Sequence, residues 1–205
     1  SCWASVGPGH AGGGATEEGP ASGGALHTAA ARARHTSHMD QTSIRRFYGS
    51  WPRFNVALSE AVGGLSTAQL ALKPGPDGWP LWATVGHLAC QRVFWLCDFA
   101  GAPGADTTPF TNAAYDCPGD DDLENVLSAE RLVAALDSTY RIVERCLDTW
   151  SASALEETIA RPDFGPDWVM RRGEVLQRVY NHDVWHAGQV SQTLAANGLP
   201  RLEVW

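Results

Sequence analysis

Two histidines four residues apart are the part of this sequence best suited to chemistry. They are His182 and His186, in the segment NHDVWHAGQVSQTL at residues 181–194. If the segment is helical, both side chains share one face, with Cβ atoms about 5 to 6 Å apart. Two neutral imidazoles at that separation can bind one divalent cation. The pair could instead fill a helical core, where each buried imidazole would need its own hydrogen-bond partner.

A third histidine, His87, lies in the middle of another apolar segment. A helical bundle can bring it opposite the pair on the later helix. Three imidazoles suit Zn²⁺, Ni²⁺ or Fe²⁺ and leave coordination positions open for water or substrate. Such a metal would lower the pKa of a coordinated thiol or water, which serves thiol transfer and hydrolysis alike. Because a pair with this spacing is common by chance, the residues alone leave metal binding and core packing open.

Three neighbours of the histidines each have a chemical and a structural interpretation. Gln189 lies on the predicted histidine face and could orient a ligand or a bound water, or be a packed, hydrogen-bonded glutamine. Asp183 points about 100° away from His182, which predicts a helix-surface or intersubunit acid rather than a ligand. Cys90 shares the face of His87 and is a candidate fourth ligand or reactive thiol, although a small buried core residue is the more usual role of cysteine.

Two further groups of residues have a chemical interpretation that we weigh against a structural one. Asp120-Asp121-Asp122 with Glu124 lacks the spaced ligands and the glycine of a calcium-binding loop, which predicts a solvated loop or helix start. Four aromatic side chains either line an apolar pocket near the histidines or fill the core, the usual role of aromatics at helical spacing: Trp82, Trp95, Trp185 and Tyr180.

Four segments are predicted to be the helices that position these side chains, at residues 44–65, 81–100, 128–150 and 172–197. The second is apolar on nearly every side, which is typical of a buried helix. In the first, Pro52 either kinks the helix or marks its beginning with Ser50 as N-cap. The fourth ends at Gly198. With no convincing strand and no repeat, the sequence predicts an all-α four-helix bundle.

The remaining segments predict one domain preceded by a tail. Residues 1–38 are rich in Gly, Ala and Ser, so we expect a disordered tail, either a vector-derived leader or an upstream extension. The bundle domain is predicted at residues 39–205, with a long connection between helices two and three at residues 101–127. Four histidines of the tail are excluded from the site: His10, His27, His35 and His38.

Composition narrows the class of protein. The chain has 15 basic and 23 acidic residues, a net charge of -8, and no basic stripe, which disfavours nucleic-acid binding. No apolar run reaches the ~18 to 20 residues of a membrane-spanning helix, so we expect a soluble protein without a membrane partner. The 5 cysteines are odd in number and scattered, which predicts free thiols. Without a secretory signal, the expected location is cytoplasmic.

Three segments together resemble the DinB (DinB/YfiT-like) superfamily of small metal-binding four-helix bundles. They are WPLWATVGHLACQRVFWLC at residues 79–97, HDVWHAGQVSQTL at 182–194 and GLPRLEVW at 198–205. The family motif is one histidine in the second main helix and a His-x-x-x-His pair with a following Gly-Gln in the last. It carries over onto His87, His182, His186 and Gly188-Gln189. The resemblance implies a divalent metal, often nickel or zinc, bound by these histidines, and frequently a homodimer.

The resemblance leaves the reaction open. Some relatives join a low-molecular-weight thiol such as mycothiol or bacillithiol to an electrophile, or isomerise maleylpyruvate. The first hypothesis is therefore a metal-dependent thiol S-transferase or isomerase acting on a small-molecule substrate. The alternatives are a metal-dependent hydrolase and a non-catalytic metal-binding stress-response bundle.

Overall fold

Four long helices form the bundle in the computed structural model of the protein, which describes residues 43–111, Cys117 and residues 123–204. The third and fourth helices each contact both the first and the second. The order around the bundle is therefore first, third, second, fourth. The predicted all-α four-helix bundle is confirmed, and its helices are α1 (Trp51–Gly63), α2 (Leu81–Val93), α3 (Ala129–Thr149) and α4 (Arg172–Ala196).

Shorter helical pieces extend or connect these four helices. A π-helix, Phe94–Phe99, continues α2 directly, so the predicted second helix covers both pieces. The others are the 3-10 helices Ile44–Tyr48 and Ala105–Thr107 and the single turns Thr67–Leu70 and Ala152–Leu155. The predicted tail at residues 1–38 and the run Asp120-Asp121-Asp122 lie outside the described residues.

The beginning of α1 settles the role of Pro52. Ser50 is the N-cap residue and Pro52 lies in the first turn, where a missing backbone N–H breaks no helical hydrogen bond. The preceding residues form a separate 3-10 helix, Ile44–Tyr48. The predicted apolar stripe does not continue through it, because Ile44 is buried but Phe47 is 71% exposed.

Burial along α2 follows from its sequence. Every residue from Leu81 to Val93 is buried except the half-buried Gln91, as expected for a helix that is apolar nearly all round. In α3 the hydroxyl of Ser128 accepts from the N–H of Arg131, which caps the first turn. The predicted inward stripe of α3 is buried throughout: Leu132, Leu136, Tyr140, Val143 and Leu147.

The ends of α4 are also fixed locally. At its beginning the carboxylate of Glu174 accepts from the N–H of Arg171 at 2.6 Å. At its end Gly198 takes φ of +73°, a conformation that side chains with a Cβ rarely adopt. The N–H of Leu199 then donates to the carbonyl of Leu194 at 2.9 Å, which closes the helix.

A β-hairpin before α4 corrects the prediction that no strands are present. Strands β1 (Thr158–Ala160) and β2 (Val169–Arg171) pair antiparallel, with Ile159 opposite Met170. Three-residue strands are too short to show the alternation by which a strand is recognised in a sequence. Among the described residues, no helix is both long and apolar enough to cross a membrane.

Candidate metal centre

Three histidines from two helices meet between α2 and α4. His87 Nε2 lies 3.2 Å from His182 Nε2, and His182 Nε2 lies 3.1 Å from His186 Nε2. One ligand nitrogen from each of the three residues lies within 4.8 Å of the other two. His87 and His186 are buried and His182 is half-buried. We refer to these three side chains as the metal centre.

The spacing of the three nitrogens fits a single metal ion. Zinc binds imidazole nitrogen at about 2.0 to 2.1 Å, so two nitrogens on one tetrahedral ion are about 3.3 Å apart. The observed separations of 3.2 and 3.1 Å match that requirement closely. Three protein ligands in a tetrahedral arrangement leave one coordination position for another molecule. The cluster could therefore hold a metal ion with an open position.

Gln189 fixes the proton of one ligand. Its Oε1 lies 2.7 Å from His186 Nδ1. Because an amide oxygen only accepts hydrogen bonds, Nδ1 carries the proton and the lone pair of Nε2 faces the other histidines. Gln189 itself is exposed, and the next residue, Val190, is buried and continues the apolar stripe of α4. Gln189 thus orients His186, in the way that metal-bound histidines are commonly held.

Trp79 packs against two of the histidines and was not predicted from the sequence as a site residue. Its ring meets His87 edge-on at a centroid distance of 5.0 Å. The ring is also nearly parallel to His186, at an angle of 10° and 6.5 Å between centroids. Trp79 precedes α2, outside its helical periodicity, so spacing offered no signal. It restricts both imidazoles from the same side.

The surroundings of His182 keep its imidazole neutral. Burial is the largest cause of a lowered pKa, and together with repulsion by the nearby His186, His87, Arg92 and Arg178 it lowers the pKa of His182 to about 2. A neutral imidazole is the form that binds metals. The fold therefore presents a ready ligand at ordinary pH values.

Cys90 and Cys117 form a disulfide, which corrects the prediction that the cysteines are free. Cys117 lies 27 positions beyond Cys90 in the connection after α2, and this return of the chain could not be seen from cysteine spacing. The bond engages Cys90, so it is neither a fourth ligand nor a reactive thiol here. Cys117 Sγ also lies 3.9 Å from His87 Nδ1. Cys97 and Cys146 are free, as predicted.

Asp183 is completely buried, which corrects the prediction of a helix-surface or intersubunit acid. Its Oδ2 accepts from Trp51 Nε1 at 2.7 Å and from Arg92 Nε at 2.9 Å. Arg92, also fully buried, donates in addition to Asn55 Oδ1 at 2.8 Å. The error arose because α4 contacts both α1 and α2, so its buried surface is much wider than one stripe. We call these four side chains the ion-pair cluster.

The four aromatic residues selected from the sequence lie in different places in the structure. Trp82 and Trp95 are buried, at 3% and 6% exposure, and belong to the core. The Tyr180 hydroxyl lies 3.0 Å from Ser50 Oγ, close to Trp51 rather than to the histidines. Trp185 is 60% exposed on the outer face of α4, so it neither packs in the core nor lines the metal centre.

Comparison with known proteins assigns the family. The sequence profile of the DinB superfamily matches residues 51–190, more than half of the 205-residue chain. The chain belongs to the DinB superfamily. This DinB protein also resembles the crystal structure of a DinB-like protein from Bacillus cereus ATCC 10987, with 20% identity and a TM-score of 0.58. The similarity covers 82% of this chain and 100% of the other, and at that identity it supports the shared fold.

No protein of curated function matches the chain. The family and the geometry nevertheless agree on one feature, since the residues matched to the DinB superfamily include all three histidines of the metal centre. Together they support a metal-binding DinB-like protein.

Proposed function

We propose that this protein binds a divalent metal, Ni²⁺ or Zn²⁺ with Fe²⁺ as a third candidate, through His87, His182 and His186. The observation that carries the proposal is the convergence of three Nε2 atoms at 3.1 and 3.2 Å. A neutral imidazole offers one lone pair, and three imidazoles at this separation suit one divalent cation.

We further propose that the bound metal serves a thiol S-transferase or isomerase reaction with a thiol of the mycothiol or bacillithiol type. A metal in this position supplies a Lewis acid that lowers the pKa of a coordinated thiol. The chain contributes the geometry, because Gln189 and Trp79 hold two of the imidazoles in place.

The reaction is tested with the full chain loaded separately with each of the three metals. Mycothiol or bacillithiol is supplied together with maleylpyruvate or a panel of electrophiles, and product is followed by chromatography. We expect turnover that requires both the metal and the thiol. The matched control is the chelated protein at the same concentration.

Two other outcomes would replace the proposal. Ester or amide cleavage that proceeds without any added thiol would favour a metal-dependent hydrolase. Stoichiometric metal binding with no turnover by any thiol would favour a non-catalytic metal-binding bundle.

We also propose that two copies of the chain associate through the outer face of α4. Val184 and Trp185 are 37% and 60% exposed there, which is unusual for such apolar side chains in adjacent positions. Sedimentation at micromolar concentration should show a dimer, and Trp185→Glu should shift it to the monomer. A monomeric wild-type protein would contradict this association.

A further inference from the structure

One half-buried arginine lies beside the metal centre on the same helix. Arg178 precedes His182 by four residues on α4, so the two side chains share a face of that helix. The guanidinium carbon of Arg178 lies 4.5 Å from the centroid of the Trp95 ring. Trp95 belongs to the π-helix that continues α2. The arginine is therefore held between the two helices that supply the histidines.

The position of Trp95 is itself tied to the metal centre. Trp95 Nε1 donates to Gln91 Oε1 at 3.0 Å, and Gln91 Nε2 donates to Cys117 Sγ at 3.3 Å. Cys117 in turn approaches His87. This chain of contacts connects the ring beneath Arg178 to one of the three histidines. The contacts that position Trp95 therefore also position the guanidinium of Arg178 relative to His87.

Arg178 differs in its ion pairing from the other stacked arginines that are at least half-buried; Arg46, which stacks on Phe47, is exposed. Arg92, Arg161 and Arg172 also lie over aromatic rings, and each of them has a carboxylate partner, at 2.8, 2.6 and 2.8 Å respectively. Within the part of the chain that the structure describes, no carboxylate lies within ion-pair distance of Arg178. Burial without such a partner lowers the pKa of Arg178.

Arg178 lies one helical turn before His182 on α4, which places its positive charge near the metal centre. A half-buried cation without a counter-ion is unfavourable by itself. An anionic ligand bound at the histidines would supply the missing partner. A planar guanidinium binds a carboxylate through two parallel hydrogen bonds. The single positive charge of Arg178 would thus be balanced by one carboxylate of the ligand.

We propose that Arg178 is an anion-binding residue of this site and that one of the reacting molecules carries a carboxylate. The carboxylate pairs with the guanidinium, which Trp95 holds in a fixed plane, while the reacting end of the molecule faces the histidines. This inference rests on the proposed function of the same site. The carboxylate belongs either to the thiol or to the acceptor molecule.

The test compares matched probes that differ only in charge. Mercaptopropionate and mercaptopropionamide represent the thiol, and maleate and its diamide represent the acceptor. Each is titrated calorimetrically into the metal-loaded full chain. We expect the wild type to bind the carboxylate member of at least one pair about tenfold more tightly than the amide, the effect of one charge-assisted contact. The pair that shows the preference identifies which molecule carries the carboxylate.

Variants separate the contribution of Arg178 from that of the metal. Arg178→Gln should remove the preference with unchanged metal content, whereas Arg178→Lys should keep part of it, because lysine retains the charge without the planar pair of donors. Arg141→Gln is the matched control, since it makes the same change on the exposed surface of α3. It should behave as wild type.

Several results would overturn the inference. They are equal binding of both members of both pairs, or a preference that persists in Arg178→Gln. A preference that also disappears in Arg141→Gln would show only an effect of net charge. Because binding is measured without turnover, a carboxylate preference in a protein that transfers no thiol would refute the proposed reaction alone. Turnover without any carboxylate preference would refute the role of Arg178 alone.

Discussion

His182 and Asp183 are adjacent in the sequence, yet they belong to two polar clusters of opposite kinds. In the ion-pair cluster, the guanidinium of Arg92 and the indole of Trp51 donate to the carboxylate of Asp183. Arg92 Nη2 also lies 2.8 Å from Asp183 Oδ2, whereas Asp183 Oδ1 is a buried atom with no hydrogen-bond partner among the described residues. In the metal centre, three ring nitrogens of the same type face one another at 3.1 and 3.2 Å. Three nitrogens at this separation could hold a metal ion.

The comparison shows how one helix serves two purposes. Successive residues of α4 point about 100° apart, so His182 and Asp183 face different neighbours. On one side, hydrogen bonds from Trp51 and Arg92 to Asp183 hold α4 against α1 and α2. On the other side the same helix presents His182 and His186, whose ring nitrogens could hold a metal ion together with His87. The fold can therefore be stabilised by one cluster and the chemistry placed in the other.

The largest expected effect is on metal binding. His186→Ala removes one of the three protein ligands, so we expect metal affinity to fall by more than about a hundredfold, beyond the range for a supporting residue. Elemental analysis after dialysis should find little metal in the variant. Gln192→Ala, an exposed change on the same helix, serves as control. Equal metal content in His186→Ala and wild type would break the assignment of the metal centre.

The ion-pair cluster should respond in stability instead. Asp183→Ala leaves the fully buried Arg92 without its counter-ion, which costs about 3 to 5 kcal/mol of the free energy of unfolding. Urea denaturation of the chelated protein measures this loss. The double variant Arg92→Met with Asp183→Leu should be less destabilised than the single one. If Asp183→Ala lost metal without losing stability, the two clusters would not be separate.

The sequence predicted the arrangement of the histidines better than that of the ion-pair cluster. The spacing of His182 and His186 predicted that they share a helix face, and the apolar segment around His87 indicated that a bundle could bring this third histidine opposite the pair. The pairing of Arg92 with Asp183 depends on how α2 and α4 are rotated about their axes, which the periodicity of a single helix does not specify. The disulfide was missed for a similar reason, because the spacing of the cysteines does not show that Cys117 approaches Cys90 on α2.

Gln189→Ala should lower the metal affinity of the metal centre although all three histidines are kept. The variant loses the acceptor that holds the proton on His186 Nδ1. We expect about a ten- to hundredfold loss of metal affinity, typical of residues that orient a metal-bound histidine. Competition with a chromophoric chelator measures the change. The free energy of unfolding of the chelated variant should stay within about 0.5 kcal/mol of wild type, since Gln189 is exposed.

Acidification should act on the chelated protein through His182. Its pKa is about 2 in the folded protein and about 6.5 in an unfolded chain. Between these pH values the unfolded chain binds the proton and the folded chain does not. The contribution of His182 to the free energy of unfolding is therefore complete above a pH of about 6.5 and decreases as the pH falls below it. His182→Asn should reduce the slope by up to about 1.4 kcal/mol per pH unit. Identical slopes in urea denaturation series would contradict a neutral, buried His182.

Gly188→Ala should have the smallest effect, because Gly188 lies on the outer face of α4, away from both clusters. A Cβ at this position would meet nothing within 4 Å in a single chain. Replacing glycine inside an exposed helix should therefore raise the free energy of unfolding by about 0.5 to 1 kcal/mol, with unchanged metal content. In a dimer packed through Val184 and Trp185, the new methyl group would instead meet the partner. Sedimentation and thermal unfolding of the variant together distinguish these cases, since only a packed interface turns the expected gain into weaker association.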